Sequence, residues 1–284
     1  MKILLLLLLC LMMLAGCAGA EDAPGEVPLT LTALNVGKAD CLLLQSGSDA
    51  YLIDTGTKAS ADTVTRALEV LGVERLTGVI LTHTDSDHAG GAKPLAKTDL
   101  PVGAWYASIY YADIKSEKKH PAVKAAKKLD LEVQWLGAGD SVPLGDSGAV
   151  FQVLAPAMEI PGDEDENSLV MMLDSPDGRI LLTGDMEHTE EAALLASGAD
   201  LRCDVLKVAN HGDSDATSAA LIAACAPSVA LISTDSTEKP GTPDPGIVRN
   251  LQSIGCAVCV TQDASLGVRI ALDGCRVAVE NVNP

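Results

Sequence analysis

Aromatic residues are what this chain most lacks: of 284 residues only 2% are Phe, Trp or Tyr, with a single Phe among them. Few ring faces means few platforms on which the bases of a single strand can stack. It also means that the core, within a hydrophobic fraction of 48%, has to be built from Leu, Val, Ile and Ala. Positive charge is scarce as well, 20 Lys and Arg against 39 Asp and Glu, for a formal net charge of −19. A surface this acidic repels a phosphate backbone and argues against tight nonspecific binding to DNA or RNA. The one basic cluster lies in Lys115–Lys128 and includes Lys118, Lys119, Lys124, Lys127 and Lys128. It reads first as the solvated face of a helix and second as a patch that guides an anionic substrate.

Long apolar runs are confined to the first residues. Lys2, the run Ile3–Leu14 and the small residues before Cys17 have the order of a secretory signal, too short for a membrane span. Leu14-Ala15-Gly16-Cys17 resembles a bacterial lipobox, which implies cleavage before Cys17 and lipid on its sulfur. The expected organisation is a lipoprotein signal over residues 1–16, a flexible Ala-, Gly-, Glu- and Pro-containing tether over 17–28, and one domain over 29–284. Localisation is accordingly expected to be extracytoplasmic, lipid-anchored to the cell membrane, with no protein partner inferable. A second CxxC is also absent. Cys256 and Cys259 flank a strand-like stretch in which residues three apart face opposite ways, which argues against a zinc ribbon. Cys41, Cys203, Cys225, Cys256, Cys259 and Cys275 read mostly as small buried residues, and export leaves room for one or two disulfides.

What the chain does have is Val79–Gly91, VILTHTDSDHAGG. An apolar run ends at Thr82, and His83, Asp85, Asp87 and His88 follow at once. The first three, spaced by two, fall on one side of an extended segment, and His88 sits where Ala89-Gly90-Gly91 lets the chain turn tightly. The chain has only five histidines, and two are here. Imidazoles and carboxylates so spaced suit divalent ions of the Zn, Mn or Fe type.

Periodicity places strands at Leu29–Asn35, Cys41–Gln45, Tyr51–Asp54 and Thr77–Thr82, with a helix over Ala59–Leu71. Further on it places a helix near Pro121–Leu129 and strands at Glu132–Leu136, Val150–Ala155, Ser168–Leu173 and Arg179–Thr183, with a hairpin turn at Asp177-Gly178. Then come strands at Val205–Val208, Val229–Ser233, Ala257–Thr261, Val268–Leu272 and Arg276–Glu280, and helices at Glu187–Ala196, Ser218–Cys225 and Pro245–Ile254. Two halves emerge, each with strands first and helices interleaved later. That order suggests stacked sheets flanked by helices, with functional loops gathered on one rim. Asp54, Asp185 and His211 each lie just past a strand end. Asp54 reads equally as an orienter of a ligand histidine or as a turn former before Thr55-Gly56. Asp185 reads as a bridging carboxylate or as the N-cap of the following helix. His120 and His188 fit no motif and read as surface residues.

Together, THTDSDH (Thr82–His88), IDTG (Ile53–Gly56), LLTGD (Leu181–Asp185) and NHG (Asn210–Gly212) resemble the metallo-β-lactamase-fold hydrolases. The HxDxDH form, ENSLVMML at Glu166–Leu173 and LKVANHGDS at Leu206–Ser214 are similar to the hydrolase domain of ComEC-type DNA-uptake proteins. The resemblance implies an α/β fold, the αββα sandwich, holding two divalent metal ions, Zn or Mn with Fe as a further option. One metal would take His83, Asp85 and Asp185, and the other Asp87, His88, His211 and the shared Asp185. Two cations in such a site lower the pKa of water for attack on an ester phosphorus or a carbonyl carbon. Asp87 is then the expected catalytic residue, and Asn210, Ser214 and Lys207 are candidate substrate contacts. A phosphodiester-type small substrate or short oligonucleotide suits the charge. A lactone, thioester or β-lactam on the same fold, or a non-catalytic envelope binding lipoprotein, are the alternatives. Three departures stand out: Val36-Gly37-Lys38-Ala39-Asp40 where relatives tend to read VGQGD, Thr242 where they often carry His, and Asn210 before His211 where a second histidine is common. Asn167-Ser168, where many superfamily members place another histidine, matches the ComEC-like branch but leaves the first metal short of protein ligands.

Overall fold

The computed structural model describes residues 28–111, 116–145, 147–274 and 276–283. The expected signal, Cys17 and nearly all of the tether lie outside these residues.

The chain opens with antiparallel strands β1 (Leu29–Leu34), β2 (Leu42–Ser46) and β3 (Asp49–Ile53). Helix α1 (Ala61–Val70) then carries it to β4 (Gly78–Leu81), parallel to β3. Single-turn helices α2 (Ser86–Ala89) and α3 (Ala92–Leu95) lead to β5 (Trp105–Ser108), and α4 (Pro121–Ala126) leads to β6 (Val133–Leu136). The second half repeats the plan. Antiparallel β7 (Ser141–Leu144), β8 (Ala149–Ala155), β9 (Val170–Ser175) and β10 (Gly178–Leu182) come first. Then α5 (His188–Ala196), β11 (Val205–Lys207), α6 (Ala219–Cys225), β12 (Val229–Ile232), α7 (Pro245–Ser253) and β13 (Ala257–Val260) follow as parallel crossovers. Finally β14 (Gly267–Leu272) and β15 (Val277–Val282) extend the first sheet beside β1. The sheets have eight strands, β15-β14-β1-β2-β3-β4-β5-β6, and seven, β13-β12-β11-β10-β9-β8-β7.

Side-chain alternation sorts these strands into four layers. Leu44, Ile53, Met171, Leu173, Ile180 and Leu182 point between the sheets, while their neighbours Leu43 and Leu52 face α1, α3 and α4. Met172 and Leu181 face α5, α6 and α7. The central strands of both sheets are therefore buried on both faces, which is why β4 and β10 read as continuous apolar runs. Each Leu or Ile taken wholly out of water contributes roughly 1.5–3 kcal/mol, and this aliphatic packing replaces what aromatics supply elsewhere. The only Phe, Phe151, is fully buried between the sheets, edge-on to Tyr51.

The structure adds β5 and β7 to the strands expected from sequence. β5 is only four residues, WYAS, preceded by Gly103, and β7 contains Pro143, tolerated because β7 is the edge of its sheet. His120 is not a surface residue. It is 1% exposed, its Nδ1 accepts from Ala122 N at 3.2 Å to cap α4, and its ring packs against Tyr111 and Trp135. Lys118, Lys119, Lys124, Lys127 and Lys128 are exposed on and around α4. The described cysteines carry free thiols. Among the described residues no helix is long and apolar enough to cross a membrane.

Candidate metal centre

Parallel strands end on the same rim, so the loops leaving β3, β4, β10, β11 and β12 meet there. Asp54 follows β3, Thr82–His88 follow β4, Asp185 follows β10 and His211 follows β11. Two of these loops hold residues in the left-handed region: Asp54 at φ 58° after β3, and Asn210 at 43° and His211 at 53° after β11. Such conformations are costly for side-chain-bearing residues, and here they turn functional groups inward at strand ends. Gly184 allows the two sheets' loops to close on each other, since a Cβ there would stand 2.8 Å from Ser168 Cβ and 3.3 Å from Thr82 Cβ of the other sheet.

The extended segment after β4 is shorter than the spacing suggests. Asp85 is the last extended residue, and Asp87 and His88 belong to α2. The helical turn swings His88 into the interior beside His83, with ring centroids 4.1 Å apart, and leaves Asp87 on the open side.

Asp54 organises both rings. Its Oδ1 accepts from Thr82 N at 2.8 Å, and its Oδ2 accepts from Thr82 Oγ1 at 2.7 Å and from His88 Nδ1 at 2.8 Å. With its own proton committed to Asp54, the Thr82 hydroxyl can only accept from His83 Nδ1, 3.1 Å away. Ser168 Oγ lies 3.1 Å from the same His83 nitrogen and accepts from Asp185 N. His211 Nδ1 donates to the carbonyl of Ser233 at 2.8 Å. All three histidines thus present Nε2 to the site, and Asp185 Oδ2 lies 3.1 Å from that of His88 and 3.0 Å from that of His211.

Two groups of side chains converge closely enough to hold a cation, each with its donor atoms within 4.8 Å of one another. One is Asp40, His88, Asp185 and His211; the other is His83, Asp165 and Asp185. Asp185 belongs to both. It is not the cap of α5, whose first amides, Thr189 N and Glu190 N, donate instead to Glu166 at 2.8 and 2.7 Å. Three buried atoms here have no hydrogen-bond partner in the protein: His83 Nε2, Asp185 Oδ1 and Asp40 Oδ1. Buried polar atoms left so are expensive, and these three are spread over the two groups, where cations would satisfy them. The donor set fits a divalent metal.

The electrostatics agree. Burial disfavours charge on His211, but Asp185 and Asp87 outweigh it and lift its pKa to about 9. Burial and the neighbouring His88 hold His83 well below the usual range, so it is a neutral donor. Around the rim, burial and then Asp185, Asp85 and Glu187 push Asp165 up to about 7. Glu187 is likewise lifted to about 7 by burial, Asp215, Asp163 and Glu166.

Of the other expected residues, Asp87 lies 3.5 Å from His211 Nε2 and 3.0 Å from Lys38 Nζ. Asp85 is half-buried and joins neither converging group. Asn210 is buried and donates to Glu187 and Asp215, while Ser214 is exposed nearby. Lys207 cannot contact substrate: it is wholly buried, with Nζ 2.7 Å from Asp40 Oδ2 and donating to Val208 O. The structure also adds residues to the site. Lys38 and Asp40 come from the VGKAD turn, where the departure from VGQGD was a signal for Lys38 but not for Asp40, which both forms share, and Asp165 comes from the acidic run Asp163–Glu166.

Comparison with known proteins agrees with the geometry. Residues 34–235 match the family model described as the metallo-beta-lactamase superfamily, and the chain belongs to that superfamily of metallo-hydrolases. It is 28% identical over 185 residues to ComE operon protein 3 of Bacillus subtilis, covering 65% of this chain and 23% of that protein. It is also 28% identical over 225 residues to competence protein ComA of Neisseria gonorrhoeae, covering 78% of this chain and 29% of that one. The chain thus spans about a quarter of the length of these competence relatives. Among solved structures, the metallo-beta-lactamase fold protein YhfI from Bacillus subtilis superposes with a TM-score of 0.53 at 16% identity, over 82% of this chain and 96% of that one.

Proposed function

We propose that this chain is a binuclear metal-dependent hydrolase of phosphodiester or phosphoester bonds, held by lipid at the outer face of a membrane. The observation that carries the reading is a pair of converging groups, Asp40, His88, Asp185 and His211 on one side and His83, Asp165 and Asp185 on the other, which share Asp185 and contain unpartnered buried atoms, beside a lysine on the open side. A divalent pair bound there supplies an acidified water and charge neutralisation in the transition state. The chain's own groups do the rest. Asp54 fixes His88 directly and His83 through Thr82, so neither ring must reorganise during reaction. Asp87, on the open side, is placed to orient the attacking water. Lys38, held against Asp87, offers N–H donors and positive charge to a non-bridging phosphoryl oxygen.

A net charge of −19 favours short or small phosphodiesters over long polymers. Turnover of bis-p-nitrophenyl phosphate with Mn²⁺ or Zn²⁺, abolished in Asp87→Ala, is the expected result; none with either ion would sink the proposal. The anchor rests on the Leu14–Cys17 signal, and loss of membrane association in Cys17→Ser tests it.

One observation favours a non-catalytic reading. Thr242 is buried, and its hydroxyl is bonded to Thr234 Oγ1 at 2.8 Å and Lys239 O at 2.9 Å. It offers no titratable proton to a leaving group. A good leaving group such as p-nitrophenolate needs none, so that assay also separates the two readings.

A further inference from the structure

The first cation position, as the resemblance builds it, lacks a donor: Ser168 stands near where many relatives place a histidine, and it is bonded to His83 and to the amide of Asp185. We propose that Asp165 is the missing ligand, completing with His83 and Asp185 a carboxylate-rich cation site. This rests on the functional reading above and names a residue the motif does not contain.

Three observations carry it. His83 Nε2, on a side chain 0% exposed and without a hydrogen-bond partner, points at Asp165 Oδ1 at 3.5 Å. That separation is too long for a good hydrogen bond and suits two donors flanking one ion. Asp185 Oδ1, equally without a partner, closes the group.

Second, the loop around Asp165 is built to hold it there. Glu164 accepts from Thr84 N at 3.0 Å, tying the loop to the segment between His83 and Asp85. Glu166 spends both carboxylate oxygens on the first amides of α5. The Asn167 side chain binds Ile160 N at 2.9 Å and Ile160 O at 2.8 Å, closing the loop on itself. Of four consecutive acids, Asp163, Glu164 and Glu166 each accept from a backbone amide, and Asp165 faces the site.

Third, Asp165 lies among like charges, Asp185, Asp85 and Glu187. A divalent ion would relieve that crowding, whereas a structural role would not require it.

One imidazole among carboxylates is a hard donor set, so this position should prefer Mn²⁺ to Zn²⁺ more than an all-histidine site would. The test is ion counting in the purified protein dialysed against Mn²⁺, with electron paramagnetic resonance to detect adjacent pairs. Wild type should bind two ions with an exchange-coupled spectrum. Asp165→Asn, nearly isosteric, and Asp165→Ala should keep one uncoupled ion and bind the other on the order of tenfold or more weakly. Asp215→Asn makes the same charge change on the rim and should keep both. If Asp165→Asn binds the wild-type number of ions with wild-type affinity, or Asp215→Asn loses as much, this assignment is wrong while the hydrolase reading stands. If wild type binds no ion, both fall.

Discussion

The Nε2 atoms of His88 and His211 face each other across 3.2 Å, with Asp185 Oδ2 about equally close to both. The opposite nitrogen of each ring is committed, one to a carboxylate and one to a carbonyl, and neither partner can donate. When both rings are neutral, as metal ligation requires, they direct both lone pairs at the same point. Three electron-rich atoms converging in a buried site repel one another unless positive charge stands between them, and Asp54 and Ser233 fix that arrangement.

Asp54 should thus control affinity for metal without touching it. Asp54→Asn keeps the shape and tolerates the left-handed backbone at φ 58°, but replaces a carboxylate that accepts from His88 and Thr82 with a group that also donates. Affinity, measured by competition with a chromophoric chelator, should fall roughly 10–100-fold. Unchanged affinity would show that the ring orientations are set by packing alone.

Lys38 replaces the glutamine that relatives tend to carry in this turn. Burial works against its charge, but Asp87, then Asp185 and Asp165, more than compensate, and its pKa is raised. Lys38→Gln should lower kcat/KM on an anionic phosphodiester by about tenfold, the worth of one charge-assisted hydrogen bond. A neutral carboxylic ester should be affected far less. An equal loss on both substrates would mean that Lys38 only positions Asp87.

Most of the layered fold was legible because its strands are buried on both faces and end in turn residues, as YLID-TG and ILLTG-D do. The four side chains His83, His88, Asp185 and His211 were readable from their place after strand ends. Asp40 and Asp165 were not, because each reaches the site through long-range packing that local spacing does not encode. Lys207 misled for the same reason: three residues before Asn210 it looks like part of a binding loop, yet β11 is a central strand and turns it inward. The helical turn at Ser86–Ala89 was hidden by an i, i+2, i+4 pattern that fits an extended chain equally well.

The buried pair that Lys207 makes with Asp40 gives a stability prediction. Both side chains are 1% exposed and 2.7 Å apart, so neither charge has water to fall back on. Lys207→Met leaves Asp40 buried and uncompensated, which should cost about 3–5 kcal/mol of unfolding free energy in urea titration. Lys207→Met combined with Asp40→Leu removes both charges and should recover most of that loss. If the double variant is as unstable as the sum of the singles, the pair is not what the energy depends on.

His120 should make stability depend on acid. Burial, with Lys124 nearby, lowers its pKa from 6.5 to about 4. The unfolded chain therefore binds a proton between those values that the folded protein refuses, and stability must decline as pH falls through that window. The structural reason is direct: Nδ1 accepts the Ala122 amide at 3.2 Å, and a protonated ring has no lone pair left to accept it. The depressed pKa corresponds to a contribution on the order of 3 kcal/mol, fully present above pH 6.5 and gone below about 4. His120→Asn retains a helix-capping oxygen and cannot titrate. Thermal or urea unfolding of the two proteins from pH 8 to pH 4 should show the wild type losing stability faster by that amount, and parallel curves would assign the acid sensitivity to the carboxylates instead.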